Sequence, residues 1–363
     1  MNNRLKNFNS GRAIFFLLMP IALVIGAAAL KIAAGVLLTF TIALLLAFVM
    51  KPFVEMLVKV HVPRVFAIVI AVCIIMVGLF GAGLVLSSSG QTILSVYPRY
   101  ENRLTEIYVA AAGLFDLSYD EQLSFIQNLW GQLGIRNSVR GFTFSFTNNF
   151  ISFSKDAVMV VLFTVFMLIE STYFMEKLDM AFSKGSFPFR KISTDVVKQV
   201  SRYLIAKFFI SLATGVVVYI GLGRIGLEFA LLWGVIQFIL NFIPSLGSIA
   251  AGVGATFFAL VQFWPNPGPI IGVAAIMLGA NTVIGSILDP MIMGDTVGLS
   301  PIVVLVSMLV WGFLWGFAGM ILAVPMTVII KIICENIPML EPVSIILGSR
   351  KFILSKRAIH PKD

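Results

Sequence analysis

The chain has 363 residues, of which 59% are hydrophobic and 12% charged, with a formal net charge of +9, and its mean hydropathy is +1.00. These values lie far outside the range of soluble domains and exclude a soluble enzyme; they describe a polytopic membrane protein held in a lipid bilayer. The basic residues flank apolar runs instead of gathering in one patch, which excludes nucleic acid as a partner and reads as a signal for membrane orientation.

Arg4, Lys6 and Arg12 precede the first apolar run as they would in a signal peptide, but no small-residue cleavage site follows and a second span comes at once. The pattern predicts a retained first helix. Apolar runs at 13–30, 33–50, 64–88, 156–175 and 204–223 each approach the ~20 residues needed to cross ~30 Å of hydrocarbon, which predicts five spans. With the N-terminus inside, the segments 1–12, 51–64, 176–207 and 331–363 hold 19 of the 26 Lys and Arg residues. That imbalance predicts both termini on the cytoplasmic side.

Residues 1–90 form the opening spans, and 91–155 form an insertion on the opposite, extracytoplasmic side. Leu104, Ile107, Tyr108, Ala111, Leu114 and Phe115 share one helical face there, as do Leu123, Ile126, Trp130 and Leu133, so the insertion reads as a small helical cap. Ser118 and Glu121 have capping-box spacing at the start of its second helix. Glu170, near the inner end of the fourth span with Lys177 close by, reads as an interfacial anchor. On the inside, Ile192, Val196, Val200 and Tyr203 form a stripe opposite Lys191, Asp195, Lys198 and Arg202. This predicts an amphipathic helix over 188–203 lying in the interface.

The last third, within a transport core spanning 156–330, departs from simple spans. Between Phe229 and Ile330 only Asp289 and Asp295 are charged. Charges in lipid are expensive, so Asp289 reads as a site residue, in competition with a loop or capping role, and Asp295, near two glycines, as a solvated loop residue. As continuous helices, 229–263 and 299–330 would each measure about 50 Å, longer than a bilayer is thick. Pro244 and Gly247 interrupt the first, and Gly316, Gly319 and Pro325 the second. Two broken or re-entrant elements on either side of a span at 268–287 predict a carrier with its site at the breaks. The count is then six spans plus two hairpins, or eight spans, followed by a basic tail at 331–363. The fold class is all-α, with about 6–8 transmembrane helices.

Polar side chains concentrate in two places. Gln237, Asn241, Ser245 and Ser248 bracket Pro244, while Asn281, Thr282, Ser286 and Asp289 form a second set, the last three on one α-helical face. They could coordinate a monovalent cation or hydrogen-bond a polyhydroxylated solute; the plainer reading is interhelical hydrogen bonding. Gly247, Ala250, Ala251 and Gly254 line one small-residue face, and Gly312 with Gly316 forms G-x-x-x-G, both signs of close helix packing. Gly221, Gly223 and Gly226 spell G-x-G-x-x-G after a membrane helix and not a strand, so they read as a turn. No Walker loop, H-E-x-x-H or G-x-S-x-G occurs, which removes ATP-driven transport and the common hydrolases from consideration. Cys73 and Cys334 suggest no disulfide, and His61 and His360 no metal site. No cofactor is expected beyond a coupling ion, H⁺ or Na⁺.

Leu240-Asn-Phe-Ile-Pro-Ser-Leu-Gly-Ser-Ile-Ala250, Asp289-Pro-Met-Ile-Met-Gly294, Gly298-Leu-Ser-Pro301, Trp311-Gly-Phe-Leu-Trp-Gly316 and Gly319-Met-Ile-Leu-Ala-Val-Pro325 resemble the autoinducer-2 exporter family, also called PerM-type permeases. The resemblance covers nearly the whole chain, with Ser286 standing where the family usually carries Asn. It implies a bacterial inner-membrane transporter exporting a small polar metabolite or quorum signal, and homo-oligomers, plausibly pentamers, with sodium (lithium)/proton antiport through Asp289 as the alternative. Asn241, Pro244, Gly247, Ser286 and Asp289 are the foremost site residues.

Overall fold

The computed structural model describes residues 10–115, 156–171, five positions between 173 and 180, 189–289, 291 and 298–349. Ser118, Glu121, the insertion helix around Trp130, Asp295 and the tail beyond 349 fall outside these residues. Within them the chain is a helical bundle. The helices are α1 (Ser10–Ile32), α2 (Ala34–Lys59), α3 (Arg64–Phe115), α4 (156–171) and α5 (Phe189–Ile225). After these come α6 (Ala230–Leu240), α7 (Leu246–Phe263), α8 (Pro267–Ala280), a π-helical segment (Asn281–Leu288), α9 (Pro301–Asn336) and α10 (Glu341–Leu347). Six helices among the described residues are long and apolar enough to cross a membrane.

Hydropathy marks where lipid ends, not where a helix ends, and two elements show the difference. The third span does not stop at the membrane surface: α3 runs unbroken for 52 residues into the insertion. The stripe expected to lie in the interface is likewise the first half of α5, a single 37-residue helix. Ile192, Val196, Val200 and Tyr203 are buried against Val324, Val328 and Ile332 of α9. The amphipathic pattern therefore faces protein and not headgroups, because an apolar stripe packs on whichever apolar surface it meets. The start of the expected tail belongs to the core too, since α9 continues through Asn336 and buries Lys331 beside Glu335.

The G-x-G-x-x-G is a helix end. Gly221 and Gly223 are helical, and Gly226 takes φ +83°. The Leu227 N–H donates to Leu222 O, and that of Gly226 to Gly223 O, the Schellman pattern that closes a helix on a left-handed residue. Glu228 follows, accepting from Arg99 and Tyr100 of the α3 extension, while its own N–H donates to Gln262 Oε1. Burial, then the bond to Glu228, raises the Tyr100 phenol above its ordinary range, so it remains a donor and pins α3 to this corner.

Both long segments of the last third turn back inside the bundle. The first breaks at Asn241–Ser245, between α6, 11 residues long, and α7, 18 residues long. At 1.5 Å per residue α6 descends only ~16 Å, about half of a hydrocarbon core. In the second, Trp315 and Gly316 leave helical geometry, Gly316 with φ +63°. The approach across each break shows a reversal and not a mild kink. A Cβ on Gly247 would sit 1.7 Å from Leu240 O, and one on Gly319 would sit 2.0 Å from Trp311 O. Residues seven or eight apart on one straight helix lie more than about 10 Å from each other. Pro325, by contrast, is accommodated inside the helix.

The hairpins enter from opposite ends. The first opens at the Glu228 corner; α8 and the π segment then cross to the other end, where the Ser300 N–H donates to Leu347 O just before α9 begins. Both broken elements thus reverse within the bundle at the residues that interrupt them. Leu240 and Ile243, at the first hairpin's tip, pack on the cluster that contains Trp311, Leu314 and Trp315 of the second.

Gly247→Ala is expected to destabilise the fold by about 1–3 kcal/mol or more, because a backbone carbonyl cannot rotate away from the added methyl. A methyl added at Gly279 would meet nothing within 4 Å, so Gly279→Ala serves as the control. Thermal unfolding in detergent compares them; equal stability of both variants would remove the tight reversal.

Candidate functional site

A cleft of about 720 Å³ runs between α7 and α8 from the first hairpin's tip to the end of the π segment. One side is apolar and open: Ile249, Val253, Phe257 and Leu278 are each about 60–70% exposed. The other side is polar. Asn241, Ser245, Ser248, Asn281, Thr282 and Asp289 all line it, with Pro244 at the tip. The structure thus brings together the two polar sets that lie some 40 positions apart in the chain, because hairpin and span pack side by side. Gln237 and Gly247 do not line the cleft; Gly247 is consumed by the reversal, and Gln237 lies fully buried behind it. Ser286 falls in the π segment, and its side chain is not among those described.

The amides are largely occupied with one another. Gln237 Nε2 donates to Asn281 Oδ1 at 3.0 Å, and Asn281 Nδ2 donates to Ser248 O at 3.2 Å. Ser248 Oγ donates to Asn241 Oδ1 at 3.3 Å, and Asn241 Nδ2 donates to Ser211 Oγ at 3.0 Å. This chain ties α5, α6, α7 and the π segment together at the level of the break. It serves first to satisfy polar groups that have no water to turn to, which is the interhelical bonding that competed with a ligand role.

The charged end is different. Lys207 Nζ donates to Asp289 Oδ2 at 2.8 Å, and the two side chains are 4% and 22% exposed. Asp289 is therefore neither an unpaired intramembrane charge nor a loop cap: it has helical φ/ψ at the end of the π segment. Its counter-ion comes from α5, outside the charge-poor stretch. Lys207 and Ser211 are the two residues that sequence reasoning missed. Lys207 fell at the edge of an inside segment and was counted toward orientation, although it also lies four residues into the run 204–223, where it is the one charged residue. A lone Lys in one span and a lone Asp in another is a pairing signal.

The π winding also alters the expected geometry. An i→i+5 helix does not preserve the face computed for Thr282, Ser286 and Asp289 at α-helical spacing. Thr282 and Asp289 reach the cleft nonetheless. Two hydroxyls, of Ser245 and Thr282, remain open toward it, and at its charged end Asp289 Oδ1 is buried with no donor among the described residues. No group of His, Cys, Asp and Glu able to hold a metal occurs among the described residues.

Apolar crossings, two opposed hairpins and a polar-floored cleft together describe a multi-pass membrane transport protein. The chain belongs to the AI-2E transporter family, whose model matches residues 17–339. It is 31% identical over 354 residues to a protein of Borreliella burgdorferi, covering 97% of this chain and 94% of that relative. To YhhT of Escherichia coli K12 it is 31% identical over 338 residues, 92% of this chain and 93% of YhhT. To the AI-2 transport protein TqsA of the same strain it is 30% identical over 332 residues, 90% of this chain and 93% of TqsA.

Because the Lys207–Asp289 pair is buried, removing either partner strands the other. Lys207→Gln or Asp289→Asn alone is expected to cost about 3–5 kcal/mol, whereas the two together, which leave no charge, should lie close to the parent. A double-mutant cycle on melting in detergent measures this. Singles as stable as the parent would mean that the ion pair is not formed.

Proposed function

We propose that this protein exports a small polar metabolite or signal of the autoinducer-2 type across a bacterial inner membrane, with the cleft between α7 and α8 as its solute site. The observation that carries the reading is the convergence of Ser245, Thr282 and Asp289 on one cleft beside the tip of a hairpin that ends within the bundle. Broken helices at such a place offer polar groups to a solute where continuous helices would offer none. The substrate class is supported by the family and by TqsA, a relative named for AI-2 transport. Lys and Arg predominate on the segments assigned to the inside, which supports cytoplasmic termini.

Sodium/proton antiport through Asp289 has no comparable support. An ammonium 2.8 Å from Oδ2 already neutralises the carboxylate. A sodium ion would have to displace Lys207 or share the carboxylate with it, and either arrangement places two cations side by side in a low dielectric.

Everted membrane vesicles containing the protein should accumulate added AI-2 faster than vesicles without it, and a pH- or sodium-jump alone should produce no proton flux. Ser245→Ala and Thr282→Val are each expected to slow uptake about 2- to 10-fold, the worth of one hydrogen bond. Accumulation equal to that of empty vesicles would refute the proposed export.

A further inference from the structure

With the cleft taken as the solute site, a reading on which this inference rests, its charged end has unused hydrogen-bonding capacity of a definite kind. An ammonium carries three N–H donors, and among the described residues Lys207 spends one, on Asp289 Oδ2. The other carboxylate oxygen, Oδ1, is buried and accepts from no donor among the described residues. Both side chains line the cleft, and every other described residue lining it is uncharged. Two donors and one strong acceptor therefore stand side by side on a pair whose summed charge is zero.

We propose that Lys207 and Asp289 together act as a charge filter, holding solutes of zero net charge that present a hydrogen-bond donor next to an acceptor, and rejecting anions and cations. A neutral solute can accept from the spare Lys207 N–H groups and donate to Asp289 Oδ1 while the 2.8 Å contact between Nζ and Oδ2 stays intact. It adds no charge and satisfies an oxygen that is otherwise unpaired. An anion drawn to Lys207 would lie against the Asp289 carboxylate and leave the cleft net negative. A cation drawn to Asp289 would lie against the ammonium, with the opposite result. Neither finds compensation among the described residues, where no further charged side chain lines the cleft, and charge is costly where water is scarce. Discrimination of this kind acts mainly through repulsion of the wrong ligand, as specificity often does. Lys207 is then a specificity-determining residue and not merely a counter-ion.

The test uses the full chain in lipid nanodiscs at mildly acidic pH, with glucose, gluconate and glucosamine as probes that are closely matched in hydroxyl groups and differ in charge. Direct binding is measured for the parent and for the double variant Lys207→Gln/Asp289→Asn, which removes both charges together and so avoids stranding either one. The parent is expected to bind glucose at least ~10-fold more tightly than either charged probe, and the double variant to lose that preference. A smaller preference in the parent, no measurable glucose binding, or a folded double variant that keeps the preference overturns the filter. AI-2 accumulation in everted vesicles is scored separately on the same two proteins. Absence of accumulation by the parent counts against the export reading, whereas accumulation without charge discrimination counts against the filter alone.

Discussion

A charge inside a bilayer cannot be left to solvent, so each one placed there has to be answered by another part of the same fold. Here that requirement joins the middle of α5, through Lys207, to the end of the π segment, through Asp289. The pair does more than neutralise. On its N-terminal half α5 presents Ile192, Val196, Val200 and Tyr203 to the second hairpin. Beyond Lys207 it presents Ser211 to the tip of the first. One helix therefore fixes both hairpins relative to the span that completes the cleft. Breaking the pair would loosen the cleft and not only an ion contact.

Both hairpins meet the same physical difficulty with similar means. A chain that reverses inside a bundle needs its arms close, and a side chain at the crossing would keep them apart; Gly247 against Leu240 O and Gly319 against Trp311 O remove that obstacle. Each tip also carries a residue with positive φ, Ser245 in one and Gly316 in the other. The difference lies in what surrounds the tips. Around the first are Asn241, Ser248 and Asn281, bonded in series. Around the second are Trp311 and Trp315, the latter donating its indole N–H to Leu30 O of α1. The polar tip borders the cleft, while the aromatic tip belongs to the largely apolar core around α9.

The spans and the two breaks were legible in the sequence because lipid imposes long apolar runs, and because Pro244, Gly247 and Gly316 are residue types at which helices commonly break or kink. The partners of the site residues were not legible. Which of the polar groups near Pro244 bond to each other depends on how hairpin and span are set side by side, and no spacing within either segment records that. The continuity of α3 and α5 was hidden for another reason: hydropathy registers the environment of a residue, whereas helix continuity depends on backbone hydrogen bonds that persist across a change of environment. The π winding of 281–288 adds a local change of period that α-helical spacing does not anticipate, although Thr282 and Asp289 both line the cleft.

Two departures from local rules lie at the cleft. Of the three described non-glycine residues with positive φ, His61, Phe229 and Ser245, the last two bracket the short arm α6. Three buried side-chain oxygens lack a hydrogen-bond donor among the described residues. Glu335 Oε1 lies 3.0 Å from Lys331 Nζ and so is compensated by charge. The other two are Asp289 Oδ1 and Gln237 Oε1, one in the cleft and one behind Asn281. A buried acceptor without a donor costs about 1–3 kcal/mol, and a left-handed serine a similar amount. A fold that only needed to stand in lipid would gain by relieving the strain, which a glycine at 245 would do. Ser245 with its positive φ and Asp289 with its unpaired Oδ1 both belong to the cleft, and unsatisfied polarity there is what a site prepared for a polar visitor requires, since a cleft with every polar group already satisfied has little to offer one.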